Sequence, residues 1–343
     1  MKYWLLSPLL LLSTFLFSPL LSAEAFIPSA DYVVAKSNSK TLAELTTEEL
    51  TALVLDSQFV GKTEINQGLL KSQLSAKYSK TQSPNMGYLY AWVLQREHKF
   101  DQALTIISEV LSTQSNHVNA RLLKANMLMV KGQFDQAKQQ CLALIGHASI
   151  VTISTCSLDV QSQAGQLAQS YQGLLKITQR RQPNQATRHV LAEMALRLGE
   201  PAKSLAHLTG IELTKAPVSL VVLWADAQLA LGHYAIVTTT LGAMILESNN
   251  LEDALLLKLA QAEKLDINSH SNHWQTLIAQ RVQLRELRQD TFHASDLAWY
   301  YLTIENNSNK ARYWANINWQ QAKLQSDEIL LKRANNSSLE LTQ

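Results

Sequence analysis

The sequence predicts an all-α chain, an α-solenoid of stacked helix-turn-helix repeats. Three observations carry that prediction. Phe100-Asp101-Gln102-Ala103 recurs as Phe134-Asp135-Gln136-Ala137, a period of 34 residues. Long windows on either side place apolar residues at i, i+3, i+4 and i+7, the helical period. Only 11 Gly and 7 Pro in 343 residues leave too few tight turns for an all-β fold. A repeat of this length is one helical hairpin that cannot bury its apolar stripe alone, so it stacks on its neighbours.

Residues 1–25 read as a signal peptide. Lys2 supplies a short basic start, Tyr3 to Leu21 an apolar run broken by Pro8 and Pro19, and Ala23-Glu24-Ala25 the small-x-small end that a signal peptidase accepts. Cleavage after Ala25 would place the chain in the periplasm or outside the cell. A run of about 20 apolar residues is also long enough to span a bilayer, so a retained leader would act as a membrane anchor; the prolines and small residues favour cleavage. No cysteine follows the run to carry a lipid, and no second run of spanning length comes after it.

Residues 26–83 read as an N-terminal polar segment and capping helices. Phe26 to Leu45 is polar enough to be partly extended. Leu50, Leu53 and Leu55, then Leu69, Leu70 and Leu74, predict two helices that lead into the array. Glu48-Glu49 after Thr46-Thr47 reads as helix-start charge rather than as an acid/base couple.

Residues 84–250 carry the repeats. Between 84 and 117, Tyr90-Ala91 is a large-small pair, Leu94 follows one turn later, and Ala103, Ile107 and Val110 continue a second helix. Between 118 and 151 the matching places hold Ala125, Leu128, Ala137, Cys141 and Leu144, with Gly132 in the turn. This register resembles the tetratricopeptide repeat, which implies a right-handed superhelix. Departures from the family pattern are His98 for the turn glycine, Ser115 for the late proline and Lys124 at an apolar place, where its stem is expected to snorkel. Each FDQA aspartate is expected at the start of a second helix, capping free amides on the positive dipole end. Pro183-Asn184 places a third unit at 152–185, with Leu158, Leu175 and a large Tyr171 where the family has Ala. Gly199 and Gly232 mark a fourth and a fifth turn, with the register slipped by one residue at Gly199.

Cys141 and Cys156 are the two cysteines of the chain. The register puts them on antiparallel neighbouring helices of successive units, one facing the core and the other the groove. In an oxidising compartment that pair reads as a disulfide; the alternative is two buried thiols.

Residues 251–343 read as atypical helical repeats and a polar tail. Leu251 to Leu265 and Trp274 to Arg288 predict helices. Leu297, Ala298 and Tyr301, the turn Asn306-Asn307-Ser308, and Ala311, Ala315 and Trp319 outline another hairpin, while Leu330 and Leu331 sit on a closing helix before a disordered tail from Asn335 to Gln343. Trp299, Tyr300, Tyr301, Tyr313, Trp314 and Trp319 cluster here, at spacings typical of core.

Signals of catalysis are thin. The chain has no G-x-S-x-G elbow, no phosphate-cradling G-x-x-x-x-G-K and no H-E-x-x-H. His270-x-x-His273 is the closest histidine pair and reads as a solvated loop, because a metal needs three or four ligands in one shell. No cofactor or metal is expected. Net charge is +2 and 17% of residues are charged; Lys and Arg are scattered rather than gathered into the basic footprint of a nucleic-acid binder.

The resemblance implies a non-catalytic scaffold or adaptor, and the leader and repeat style together imply a bacterial cell envelope. In the family, first helices line the concave groove. Carried over, that register names Tyr88, Trp92 and Arg96, then Asn119, Asn126 and Met129, then Glu193, Arg197 and Asp226 as the surface for a protein or peptide partner. Asparagine amides suit the backbone of an extended peptide, and Trp and Tyr supply flat contact area. The alternatives are an accessory subunit of an envelope assembly or transport system, anchored if the leader is retained, and an enzyme with its site in the C-terminal third.

Overall fold

The computed structural model describes residues 44–63, 67–179, 181–248 and 252–336. The expected signal peptide over 1–25 with cleavage after Ala25, the polar stretch 26–43 and the tail 337–343 lie outside the described residues.

The described chain from Glu44 onward is an all-α solenoid of stacked helical hairpins. Two helices, α1 (Thr47–Asp56) and α2 (Gln67–Thr81), precede the first full hairpin, α3 (Pro84–Arg96) with α4 (Phe100–Thr113). Then follow α5 (Val118–Val130) with α6 (Phe134–Leu142), α7 (Ile150–Gln163) with α8 (Leu167–Thr178), and α9 (Gln185–Arg197) with α10 (Pro201–Leu208). A 3₁₀ turn at Leu213–Lys215 leads to α11 (Val218–Ala230) and α12 (Tyr234–Ser248). The last elements are α13 (Asp253–Leu265), α14 (His273–Leu287), α15 (Ala294–Thr303), α16 (Ser308–Gln321) and α17 (Gln325–Asn336). The one extended pairing among the described residues is an isolated bridge between Phe59 and Pro217.

Local chemistry explains the helix starts and stops. Thr46 and Glu49 form a capping box on α1: Thr46 Oγ1 accepts from the Glu49 amide at 3.1 Å, and Glu49 Oε2 accepts from the Thr46 amide at 2.7 Å. Asn184 caps α9 by accepting from the Thr187 amide at 2.9 Å. The FDQA aspartates stand in the first turn of the second helices as expected, but they do not cap. Lys99 and Gln133 occupy the cap positions without a side-chain bond, so Asp101 and Asp135 lie one residue inside the helix. Asp101 meets the dipole there and its carboxylate is taken by Lys131 of the next unit. His98 replaces the turn glycine by adopting φ +54° itself, a conformation open to histidine more often than to branched residues. Asn335 and Asn336, expected in the tail, complete α17.

Packing is hairpin on hairpin. First helices pack on successive first helices, α3 on α5, α5 on α7, α7 on α9, α9 on α11, α11 on α13 and α13 on α15, which puts them on the inner side. Ala91, Ala125, Ala192, Ala225 and Ala260 are buried on five of those helices, where a larger residue would push neighbours apart. Ile107, Leu144, Leu174, Leu191 and Leu220 are fully buried in the core of the hairpin array, each worth roughly 1.5–3 kcal/mol of transfer from water. Tyr171 fits its small-residue place by burying its ring and turning its hydroxyl to His207 Nε2 at 2.9 Å. Lys124 snorkels as expected, its Nζ donating to Ser108 Oγ at 2.9 Å. Tyr300, Tyr301 and Trp314 of the C-terminal aromatic cluster are core, whereas Tyr313 is exposed.

Within this unit the array curls far enough for distant parts to touch. The Val218 amide donates to Gln58 O at 2.9 Å, the Gly61 amide donates to Glu252 Oε1 at 2.7 Å, and the ring of His98 meets that of His293 at 4.5 Å. No described helix is long and apolar enough to cross a membrane.

Candidate binding groove

The inner face is built by the same two places on each first helix, counted back from the turn glycine. Gly132, Gly165, Gly199 and Gly232 all adopt positive φ just after α5, α7, α9 and α11. Two residues before the turn stand Val130, Gln163 and Arg197; one helical turn earlier stand Asn126, Asp159, Glu193 and Asp226.

The first row holds a segment of the protein's own chain. The connection between α16 and α17 is extended at Ala322, φ −132° and ψ 138°, and runs across the inner face. The Lys323 amide donates to Val130 O at 2.7 Å, and the Gln325 amide donates to Gln163 Oε1 at 3.0 Å. Arg197 Nε donates to Gln325 Oε1 at 3.0 Å, while its two amino groups donate to Ser162 Oγ at 3.0 Å and Ser162 O at 2.9 Å. Between these anchors Leu324 packs against the apolar cluster to which Ala125, Met129 and Val160 belong. Gly132 is needed twice over: its φ is +74°, and a Cβ there would meet Lys323 Cβ at 3.1 Å.

The second row opens into a cavity of about 280 Å³ between α5, α7 and α9. Leu122, Met129, Val160 and Ala186 supply apolar wall; Asn126, Thr152, Asp159 and Asn184 supply polar atoms. Burial, reinforced by the neighbouring Glu193 charge, pushes the Asp159 carboxyl up to about 8, against the pull of Arg197. Burial also pushes His189 down, with Glu193 opposing. Glu193 Oε1 accepts from Gln163 Nε2 at 3.1 Å and lies 3.6 Å from Arg197.

Cys141 and Cys156 form a disulfide with a Cα–Cα distance of 5.5 Å. Cys141 is buried in the core and Cys156 lines the cavity, so the bridge fixes one cavity wall to the outer helix behind it.

The nine residues named from the sequence divide three ways. Asn126 and Met129 line the cavity. Arg96, Glu193, Arg197 and Asp226 stand on first helices but are taken up within the chain: Arg96 donates to Ser57 Oγ at 2.7 Å and Thr63 O at 2.9 Å, Glu193 is held by Gln163 and Arg197, and Lys258 Nζ pairs with Asp226 at 2.7 Å. Burial lowers the Arg96 guanidinium, with Glu252 opposing. Arg96 and Arg197 are met by segments from the two ends of the array, Ser57 to Thr63 and Gln325, and Asp226 by the neighbouring α13, contacts that repeat register alone does not reveal. Tyr88 stacks 5.5 Å from His117, Trp92 lies 5.1 Å beneath the Arg96 guanidinium, and Asn119 is exposed. Asp159, Thr152 and Asn184 were not foreseen. The signal was present: Gly165 follows Gly132 by 33 residues, so the one-residue slip falls in the third unit, before Gly199, and α7 presents 159 rather than 160 beside Asn126.

Comparison with solved structures finds a tetratricopeptide repeat protein from Parabacteroides merdae, 13% identical, covering 84% of this chain and 98% of that one with a TM-score of 0.39. The TPR domain of P58(IPK) is also 13% identical, covering 86% and 99% with a TM-score of 0.26. No family model and no curated protein matches the sequence. The described chain is itself an array of helical hairpins whose first helices stack on one another.

Proposed function

We propose that the protein is a non-catalytic scaffold or adaptor of the bacterial cell envelope that binds an extended segment of a protein partner along its inner groove. One observation carries the reading: the inner face already holds a stretch of chain that is extended at Ala322 and enters α17 at Gln325, through a backbone carbonyl, a buried glutamine amide and an apolar seat for Leu324. Those are the means by which an extended peptide is held. Beside that stretch the cavity carries amides at Asn126 and Asn184 for a second strand of backbone. The disulfide and the N-terminal leader support export to the periplasm or beyond, with attachment to a membrane only if the leader is retained.

The test is affinity recovery of partners from periplasmic extract with the wild-type chain, Asn126→Ala, Trp92→Ala and a cavity-closing Ala186→Phe. The reading requires at least a tenfold loss of recovered partner with Ala186→Phe and Asn126→Ala. Equal recovery by all four proteins would remove the groove as the binding surface. N-terminal sequencing of the fractionated native protein tests export, with Phe26 expected and an intact Met1 in membranes contradicting cleavage.

A further inference from the structure

We propose that the cavity between α5, α7 and α9 takes a lysine or arginine side chain of the partner segment, its cationic head seated on Asp159. The inference rests on the groove-binding reading above and names what that groove selects.

Asp159, Glu193 and Asp226 occupy the same place on three consecutive first helices, forming an acidic row along the inner face. Asp226 has Lys258 at 2.7 Å, and Glu193 has Gln163 at 3.1 Å and Arg197 at 3.6 Å. The Asp159 carboxylate has no hydrogen bond or ion pair among the described residues, and only its backbone oxygen is engaged, by Ser162 Oγ. It lines the cavity, and no cationic side chain does. Arg197 is the nearest cation from α9, but its donors are committed to Ser162 and Gln325. His189 on α9 is kept neutral by burial, and α5 contributes the uncharged Asn126.

Asp159 is half-buried at the cavity wall; an occupant that covers its carboxylate without pairing it incurs a desolvation cost, which a cation recovers. Lys and Arg suit the rest of the cavity because their methylene stems lie well against apolar walls such as Leu122, Met129 and Val160. An apolar occupant would leave Asp159 buried and unmatched, and an acidic one would face both Asp159 and Glu193. Cation binding draws the Asp159 proton off, so affinity for a basic segment rises with pH through neutrality.

The experiment uses the disulfide-bonded protein and fluorescein-labelled, C-amidated nonapeptide pools with randomised flanks and a fixed central Arg, Lys, norleucine or Glu, read by fluorescence polarisation. Arg- or Lys-centred pools are expected to bind at least tenfold tighter than the norleucine pool. Asp159→Asn is expected to abolish that preference and its pH dependence, bringing the Arg- or Lys-centred pools and the norleucine pool to within twofold of one another. Pools that bind equally well whatever the central residue, yet are lost with Ala186→Phe, would overturn the cation proposal and leave groove binding standing. No binding by any pool would overturn both. Displacement of the Arg pool by spermidine at lower concentration than by unlabelled Arg-centred peptide would overturn the peptide as occupant.

Discussion

Asp159 makes the folded chain sensitive to pH in a direction that its environment fixes. Its carboxyl is raised from 3.8 to about 8 by burial and by Glu193, so the folded state favours the protonated form. The associated stability is full below about pH 4 and is lost as pH rises through about 8. Asp159→Asn should therefore unfold at higher urea than wild type at pH 8, by about 1–3 kcal/mol, the scale of an unpaired buried polar group, with no gain at pH 4. Coincident unfolding curves at pH 8 would contradict a desolvated carboxylate. His98 acts in the opposite direction. Burial first, then His293, push it from 6.5 down to about 4, so stability present above pH 6.5 is lost as pH falls through 4. His98→Asn keeps a residue that tolerates positive φ and should flatten the acid arm of the stability profile; an unchanged arm would place the acid sensitivity elsewhere. Neither residue announces itself in the sequence. His98 stands where a glycine was expected, and Asp159 looks like any helical aspartate until the slip at Gly165 is recognised.

At the scale of elements, α6 depends on its link to α7. α6 stops at Leu142, a residue after Cys141, and the bridge spans a separation of 15 residues. Replacing both cysteines by Ala should cost about 3 kcal/mol in the chain-entropy model. The loss should show as faster amide exchange in residues 134–163 than in α3 and α4. Uniform destabilisation across all hairpins would argue against a local staple. The connection between α16 and α17 is the other element with a testable role: Leu324→Ala removes the apolar anchor of the segment lying on α5 and α7 and should cost about 1–2 kcal/mol, less than a full core truncation because the site is half-buried. The hairpins themselves were legible, because glycine turns, alanine crossings and the FDQA period are local chemistry. The disulfide was legible for the same reason, since the register alone makes the two helices neighbours. The seat of residues 323–325 was not, because the bond from the Gln325 amide to Gln163 joins parts of the chain that share no local pattern.

The whole unit from Glu44 onward is a solenoid whose ends return to its inner face. Gln58 meets Val218, Gly61 meets Glu252, and Gln325 meets Gln163 and Arg197. This return engages Arg96 and Arg197 and leaves Asn126, Met129 and Asp159 around the open cavity. The repeat register treats the inner face as free, whereas part of it is taken up by the chain itself. The central claim, that the free part of the inner face binds an extended basic segment, is tested most directly by hydrogen-exchange mass spectrometry of the intact protein with and without the tightest Arg-centred nonapeptide. Protection confined to Val118–Val130, Ile150–Gln163 and Gln185–Arg197, the three helices around the cavity, is the predicted result. Protection on the second helices α4, α6 and α8 with none on these three would contradict it.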